Sequence, residues 1–390
     1  MSDSYARRGV SAGKADVHFA IRNLDKGLYP QAFCKILPDL LTGDEEYCTI
    51  MHADGAGTKS SLAYLYWKET GDLSVWRGIA QDGIVMNLDD MLCAGAVGPF
   101  MFSNTIGRNA FHVGREVLAE VLNGMEDVFE MLREFGIHAV NTGGETADVG
   151  DLVQTMVYDA TAIARLPRKE VITNEEIQAG DVIVGLASYG KATYEKEYNS
   201  GIGSNGLTNG RHDTLHKIYA EKYPESYDQV NVPADLVYSG PHQLTDPVEG
   251  TPLDVGKLLL SPTRTFLPVM KPILEQHRDK IHGLIHCTGG GQTKVMKFVN
   301  NLHVIKDNLL PTPPVFKLIQ AASGAEWKEM YQVFNMGHRL EVYTDEATAE
   351  IVIEQAKKFN IDAQVIGRCE AAEENRLTIE GEESLVYSGH

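Results

Sequence analysis

Strand-length runs of apolar and β-branched residues alternate with amphipathic helical stretches along this chain, and that alternation restricts it to a mixed α/β architecture. Tyr47–His52 is a short β-rich run that leads into a glycine-rich loop. Val113, Val117, Val121, Met125, Val128 and Leu132 recur at three- and four-residue steps, which predicts an amphipathic helix with Gly136 placed to end it. Val153–Leu166 and Val182–Ala187 read as strands. Ile281–His286 reads as a strand that passes through three glycines into a helix from about Gln292. Leu340–Thr344 and Asp362–Ile366 read as strands flanking a helix over Asp345–Phe359, and acidic Glu370–Glu383 reads as a solvated turn or hairpin. At roughly 100–200 residues per domain, 390 residues allow two or three domains. The charged, turn-prone stretch Pro167–Gly180 is the expected boundary, giving an N-terminal domain over 1–170 and a C-terminal domain over 171–390.

Charge and cysteine usage exclude several classes of function. A formal net charge of −19 argues against a protein that clamps a nucleic-acid backbone. A nucleotide remains an acceptable ligand, because a metal ion can bridge carboxylates and phosphates. The five cysteines, Cys34, Cys48, Cys93, Cys287 and Cys369, include no CxxC pair. They are expected to be reduced thiols, not a disulfide framework or a zinc knuckle. Met1 to Lys14 lacks the apolar core of a secretion signal, and no run of about 18 apolar residues occurs. The expectation is a cytoplasmic protein with no membrane partner.

Six segments have residue types suited to phosphate or metal chemistry. Ala53-Asp54-Gly55-Ala56-Gly57-Thr58-Lys59 follows a strand. Its glycines let backbone N–H groups approach phosphate oxygens, Lys59 adds a point charge, and Asp54 suits a hydrated magnesium. Taken alone it fits an ordinary tight turn equally well. Asp82, Asp89 and Asp90 lie near one face of a predicted helix among Ile84, Val85, Met86 and Leu88, where an uncompensated carboxylate is costly and a cation is a reasonable partner. Thr142-Gly143-Gly144-Glu145-Thr146-Ala147-Asp148 offers either a strand-ending turn or a further carboxylate, Glu145. Gly203-Ser204-Asn205-Gly206 is a polar loop, and in Ser261-Pro262-Thr263-Arg264 the arginine either grips a phosphate or caps a helix. His286-Cys287-Thr288-Gly289-Gly290-Gly291 places glycines before a helix start, a good anion cradle. His212 and His216 are four apart but lack an acidic third ligand, so a packing role outweighs zinc.

Taken in order, these segments and Met330-Tyr331-Gln332-Val333-Phe334-Asn335-Met336-Gly337 form a succession from about residue 52 to 337. It is similar to that of the aminoimidazole ribonucleotide synthetase (phosphoribosylformylglycinamidine cyclo-ligase) family. The later motifs are the most specific. The earlier ones recur more loosely in a superfamily that includes formylglycinamide ribonucleotide amidotransferase, selenophosphate synthetase, thiamine-phosphate kinase and a hydrogenase maturation factor. The resemblance implies two α/β domains, with the first domains of two subunits pairing their sheets into a barrel and the ATP sites at that interface. It implies ATP-dependent phosphorylation of the amide oxygen of formylglycinamidine ribonucleotide, followed by ring closure to 5-aminoimidazole ribonucleotide. Carried onto this sequence, Asp54, Asp82, Asp90 and Glu145 hold Mg2+ against ATP, and Gly55, Gly57, Thr58 and Lys59 cradle its phosphates. Lys59, Asp82 and Asp90 are the catalytic candidates. Ser204, Asn205, Thr288, Gly289, Gly290 and Arg264 are assigned to the substrate, and a homodimer is expected.

The sequence departs from the family pattern in four places. Gly203 stands where a histidine usually precedes the Ser-Asn-Gly motif. An insertion, roughly Lys191–Gly201, lies just upstream, so that His212 or Tyr198 becomes a substitute to test. Arg339 occupies a usual glycine position, and the N-terminal glycine-rich loop has no counterpart between Lys26 and Asp44. These departures keep two alternatives open, a related ATP-dependent small-molecule kinase or synthetase and a non-catalytic nucleotide-binding protein.

Overall fold

A computed structural model describes residues 7–9, 19–20 and 22–388. Most of the Met1–Lys14 segment therefore lies outside the described residues. The first sheet is built from β1 (Ile36–Pro38), β2 (Tyr47–Gly55), β3 (Phe100–Arg108), β4 (Ala139–Asp148) and β5 (Met156–Pro167), in the order β1-β2-β5-β3-β4. Within it only β3 and β4 run parallel. Between the strands lie α1 (Lys59–Thr70), α2 (Val75–Cys93) and α3 (Arg115–Glu134). Alternate residues of β5 are buried from Met156 to Leu166, as expected of a strand with one face on a core.

The second sheet begins with β6 (Val182–Ala187). The chain then passes through α4 (Leu207–Thr214), α5 (Ile218–Lys222), α6 (Val255–Leu260) and α7 (Leu267–His277) to β7 (Ile281–His286). After β8 (Leu302–Lys306) come α8 (Pro314–Ser323), α9 (Trp327–Val333), β9 (His338–Thr344) and α10 (Glu346–Lys358). The chain ends with β10 (Ala363–Ala371), β11 (Arg376–Glu380) and β12 (Ser384–Ser388), and the sheet order is β12-β11-β8-β10-β6-β9-β7. Every residue of β9 is buried. Asp345 starts α10 by accepting a hydrogen bond from the Thr348 N–H.

Two readings of the sequence change. The segment after the glycine triplet is a 3-10 helix, Gly291–Lys297, not an α-helix. It is anchored by the Gln292 amide, which donates to the carbonyls of Asn335 and His338. The last acidic stretch contains the end of β10 and all of β11, which is paired on both sides, with β8 and β12.

Helix α2 joins the two halves. It packs on β2 and β5 of the first sheet, on β7 of the second, and on α1 and α3. Every residue from Val75 to Cys93 is buried except Arg77 and Gln81, so the helix is enclosed on all sides. Asp82, Asp89 and Asp90 therefore lie inside the protein, each requiring a partner.

Candidate active site at the junction of the two sheets

The acids of α2 are where the motifs meet. Asp82 Oδ1 accepts the Thr263 N–H at 2.8 Å, the Thr263 hydroxyl at 2.6 Å and the Lys59 ammonium at 3.0 Å. Further along the same helix, Asp89 Oδ1 accepts the Thr265 hydroxyl at 2.7 Å. The Ser261–Arg264 motif is thus laid along the helix by Thr263 and by Thr265 just after it, with the fold bringing together residues that are distant in sequence. Thr58 Oγ1 lies 2.8 Å from Thr208 Oγ1, tying the first glycine loop to the start of α4 just beyond Ser204-Asn205-Gly206.

Lys59 has a different place from the one expected. It is fully buried, and its ammonium donates to Asp82, to the Gly203 carbonyl at 3.0 Å and to the Ser261 carbonyl at 2.7 Å. Those three bonds use all three donors, so Lys59 braces the loops and does not cradle a phosphate. Burial pushes its pKa down, and Asp82 opposes that shift. Arg264 is likewise corrected. Its guanidinium forks onto Glu195 at 2.9 and 2.5 Å and donates to the carbonyls of Ala187 and Tyr189, with no exposure to solvent. Glu195 belongs to the insertion, and Asn199 of the same segment donates to the Pro262 carbonyl at 2.7 Å. The insertion is therefore a clamp on the Ser261–Arg264 loop. It also walls a cavity of about 260 Å³ beside that loop, lined by Tyr198 together with Gln81, Ser261 and Thr265.

Asp90 is the centre of a second network. His286 Nδ1 lies 2.6 Å from Asp90 Oδ1, and His52 Nε2 lies 3.4 Å from Asp90 Oδ2. Arg339 Nε donates to His286 Nε2 at 3.1 Å, so His286 is the neutral tautomer that donates from Nδ1 to Asp90. Burial depresses the His286 pKa to about 4 against the pull of Asp90. The Asn87 amide donates to the carbonyls of Gly83 and Ala160, leaving its oxygen to accept from His52 Nδ1 at 2.9 Å. The His52 ring is held between Asn87 and Asp90; burial works against the imidazolium, but Asp90 raises its pKa. Burial also works against the Asp90 carboxylate, but Lys294 and the two histidines outweigh it and hold Asp90 ionised. Asp89 is the contrasting case, pushed by burial up to about 7 despite Arg339.

The four carboxylates assigned to one magnesium do not converge within a single chain. Asp82 and Asp90 are eight residues apart on α2, about 12 Å along the axis. Glu145 sits on edge strand β4, level through Thr105 and Asp159 with Gly55, three strand spacings or about 14 Å away. Among the described residues no group of three or more His, Cys, Asp or Glu is placed to hold a metal. The half-buried end of β2 is the better donor set. Gly55 N–H donates to Asp54 Oδ1 at 2.8 Å, and a Cβ on Gly55 would collide with Asp159 Oδ1, so two carboxylates flank one glycine. Gly57 and Thr58, exposed, follow at the start of α1. Hard oxygen donors beside an open helix N-terminus fit a magnesium-bound polyphosphate.

Of the substrate candidates, Ser204, Asn205, Gly289 and Gly290 are half-buried around the junction, and Ser204 Oγ lies 3.3 Å from Thr263 Oγ1. Thr288 is buried and accepts from the Lys294 ammonium at 2.6 Å. Sequence reasoning did not single out Asp159, His52 or Lys294. Asp159 had a signal, an acid interrupting an apolar strand; Lys294 had none beyond its position after three glycines. His212 is a core residue, its ring 4.6 Å from that of Tyr238 and its Nδ1 accepting the Tyr238 N–H. All five cysteines are buried and unpaired.

The chain matches two domain models, the AIR synthase related protein N-terminal domain over residues 34–166 and the corresponding C-terminal domain over 249–380. It belongs to the AIR synthase-related family. A phosphoribosylformylglycinamidine cyclo-ligase of Methanocaldococcus jannaschii is 31% identical over 347 residues, 88% of this chain and 84% of the relative. A cyclo-ligase of the same description from Methanococcus vannielii is 29% identical over 342 residues, 86% of this chain and 81% of the relative. The fold is shared with phosphoribosylformylglycinamidine synthase II of Thermotoga maritima, at a TM-score of 0.57 and 13% identity. That likeness covers 99% of this chain and 50% of the Thermotoga protein. The matched models cover α2, the first sheet up to Leu166 and β7 to β11 of the second sheet, and they leave β6, β12 and the 191–201 segment outside.

Proposed function

We propose that this chain catalyses the ATP-dependent closure of formylglycinamidine ribonucleotide to 5-aminoimidazole ribonucleotide. The observation that carries the proposal is the 31% identity to an archaeal cyclo-ligase over 88% of the chain. The interlocked motifs support it. An amide oxygen is a poor leaving group, and phosphorylation by ATP makes it a good one; the neighbouring amidine nitrogen then attacks the carbon and expels phosphate.

In this reading the exposed backbone of Gly57 and Thr58 receives the polyphosphate at the N-terminus of α1. Asp54 and Asp159 would hold magnesium, which neutralises phosphate charge during transfer. Ser204 and Asn205 orient the reacting end of the substrate. Thr288, Gly289, Gly290 and Lys294 receive its ribose phosphate, with Lys294 as the cation. Lys59 and Asp82 act by position, fixing the loops before Ser204 and at Ser261 on one helix.

The open face of the first sheet suits a homodimer. Met51, Ile163, Met101 and Val140 stand side by side across four strands on that face, and Met51, Met101 and Val140 are exposed. Glu145, too far from Asp54 to share an ion with it in one chain, belongs in this reading to a site completed by the second copy. No helix of the described residues is long and apolar enough to cross a membrane, and we assign the enzyme to the cytoplasm, where purine synthesis takes place.

The test is direct. Purified protein is incubated with formylglycinamidine ribonucleotide, ATP and Mg2+, and the aminoimidazole product is measured beside ADP. Turnover that requires all three is expected; absence of product under saturating ligands overturns the assignment.

A further inference from the structure

We infer that Arg339 is a catalytic residue whose free guanidinium nitrogen binds the phosphoryl oxygens in transit to the substrate, in the hollow before Gly203. The inference rests on the cyclo-ligase reading and deepens it.

The side chain of Arg339 is only 2% exposed. Its Nε is used by His286 Nε2, and Nη2 donates to the Arg264 carbonyl. The nearest carboxylate oxygen, Asp89 Oδ2, lies 3.8 Å from Nη2, outside hydrogen-bond distance. Asp89 already serves Thr265 and the Phe266 N–H. Nη1 makes no hydrogen bond among the described residues. It is 3.9 Å from the point where a Cβ at residue 203 would stand, and Asn335 Nδ2 is 4.0 Å from the same point.

Gly203 keeps that space open. Its φ of +72° is strained for any residue with a side chain, and its carbonyl is held by Lys59. Asn335 fixes the preceding turn by donating to the carbonyls of Gly201 and Ile202. Apart from its chain neighbours no atom stands closer than 3.9 Å to that Cβ position, and Ser204-Asn205 follows Gly203 in the chain. Gly203 and Arg339 are neighbours in space although they are far apart in the chain.

Electrostatics favour an anion there. Arg339 pushes the Lys59 pKa down and is itself pushed down by Arg264, and of the surrounding acids Asp82 and Glu195 are paired with Lys59 and Arg264. Arg339 is left as the cation with an uncommitted fork arm, and an arginine so held suits the equatorial oxygens of a transferring phosphoryl group. In that step the bond from the γ-phosphorus to the β–γ bridging oxygen breaks with its electron pair leaving on ADP. The bond from the amide oxygen to phosphorus forms. Arg339 neither gives nor takes a proton; its Nη1 hydrogens donate to the non-bridging oxygens.

The experiment compares wild type with Arg339→Ala, Arg339→Lys and the charge-balanced pair Arg339→Ala/Asp89→Asn in steady-state kinetics with formylglycinamidine ribonucleotide and ATP. The pair guards against misfolding from an unpaired Asp89, and circular dichroism selects the folded variants. Loss of about 100-fold in kcat is expected, with KM for ATP changed by less than about 3-fold. Added guanidinium ion should restore about tenfold of the lost rate in the alanine variants, while sodium at the same ionic strength should not. A merely structural arginine would not give that rescue. Folded alanine variants with wild-type kcat, or a loss that guanidinium does not touch, overturn the inference. If wild type itself makes no aminoimidazole product, the cyclo-ligase reading falls and this inference falls with it.

Discussion

Lys59 and Asp82 form an ion pair 2.9 Å long in which neither side chain has any exposure to solvent. The pair joins α1 to α2, and through the Gly203 and Ser261 carbonyls and Thr263 it holds two loops of the second half of the chain. Removing one partner leaves the other charge buried, which costs about 3–5 kcal/mol. Lys59→Met and Asp82→Asn should each destabilise the protein by that order in urea titrations. The double variant should cost less than the sum, since neither charge is then left unpaired and the amide oxygen replacing the Asp82 carboxylate still accepts from Thr263. Strict additivity would mean that the pair does not act as a unit.

Acid should act on the protein through His286. Its folded pKa, about 4, lies below the ordinary 6.5 because burial disfavours the imidazolium. The folded state therefore binds fewer protons than the unfolded state between those values. The stability that His286 contributes is fully present above about 6.5 and is lost as pH falls toward 4. Tm measured from about pH 7.5 down to about 4.5 should fall more steeply for wild type than for His286→Gln, whose amide can still donate to Asp90 and accept from Arg339. Parallel pH profiles would remove His286 from the account of acid sensitivity.

The row Met51–Ile163–Met101–Val140 predicts self-association through the first sheet. Met51→Lys/Met101→Lys places like charges on two exposed positions of that face, either side of Ile163, and light scattering should show the mass halved while the Tm of the remaining fold changes little. A wild type that is already monomeric at tens of micromolar would rule out this role for the face.

Lys294 holds Thr288 at 2.6 Å and lies over the ring of Phe33 at 4.4 Å, so its ammonium is fixed beside the glycine loop. Lys294→Ala should raise KM for the ribonucleotide by about tenfold, roughly 1.4 kcal/mol, and leave KM for ATP nearly unchanged. An equal rise for both ligands would place Lys294 outside the substrate's phosphate site.

The elements that could be read from the sequence were those with a local cause. Val182–Ala187 and Ile281–His286 form strands with those bounds, and Asp345 caps the helix that its spacing announced. The motifs, too, were visible one by one, because glycine and acid clusters have local chemistry. What each charged side chain does was not visible. Lys59 and Arg264 look like phosphate ligands in sequence, yet the fold consumes both on buried carboxylates and carbonyls.

Sequence by itself determined the α/β alternation, the order of the motifs and the family, since helical and strand periodicity and glycine spacing depend on neighbours along the chain. Tertiary structure decided which acids face cations and which face open space. It set Asp82 and Asp90 about 12 Å apart on one helix, carried Glu145 to the far edge of the sheet, and brought Arg339 up to Gly203. The charge a site presents is what remains after every buried donor and acceptor has found a partner, and those partners come from distant parts of the chain.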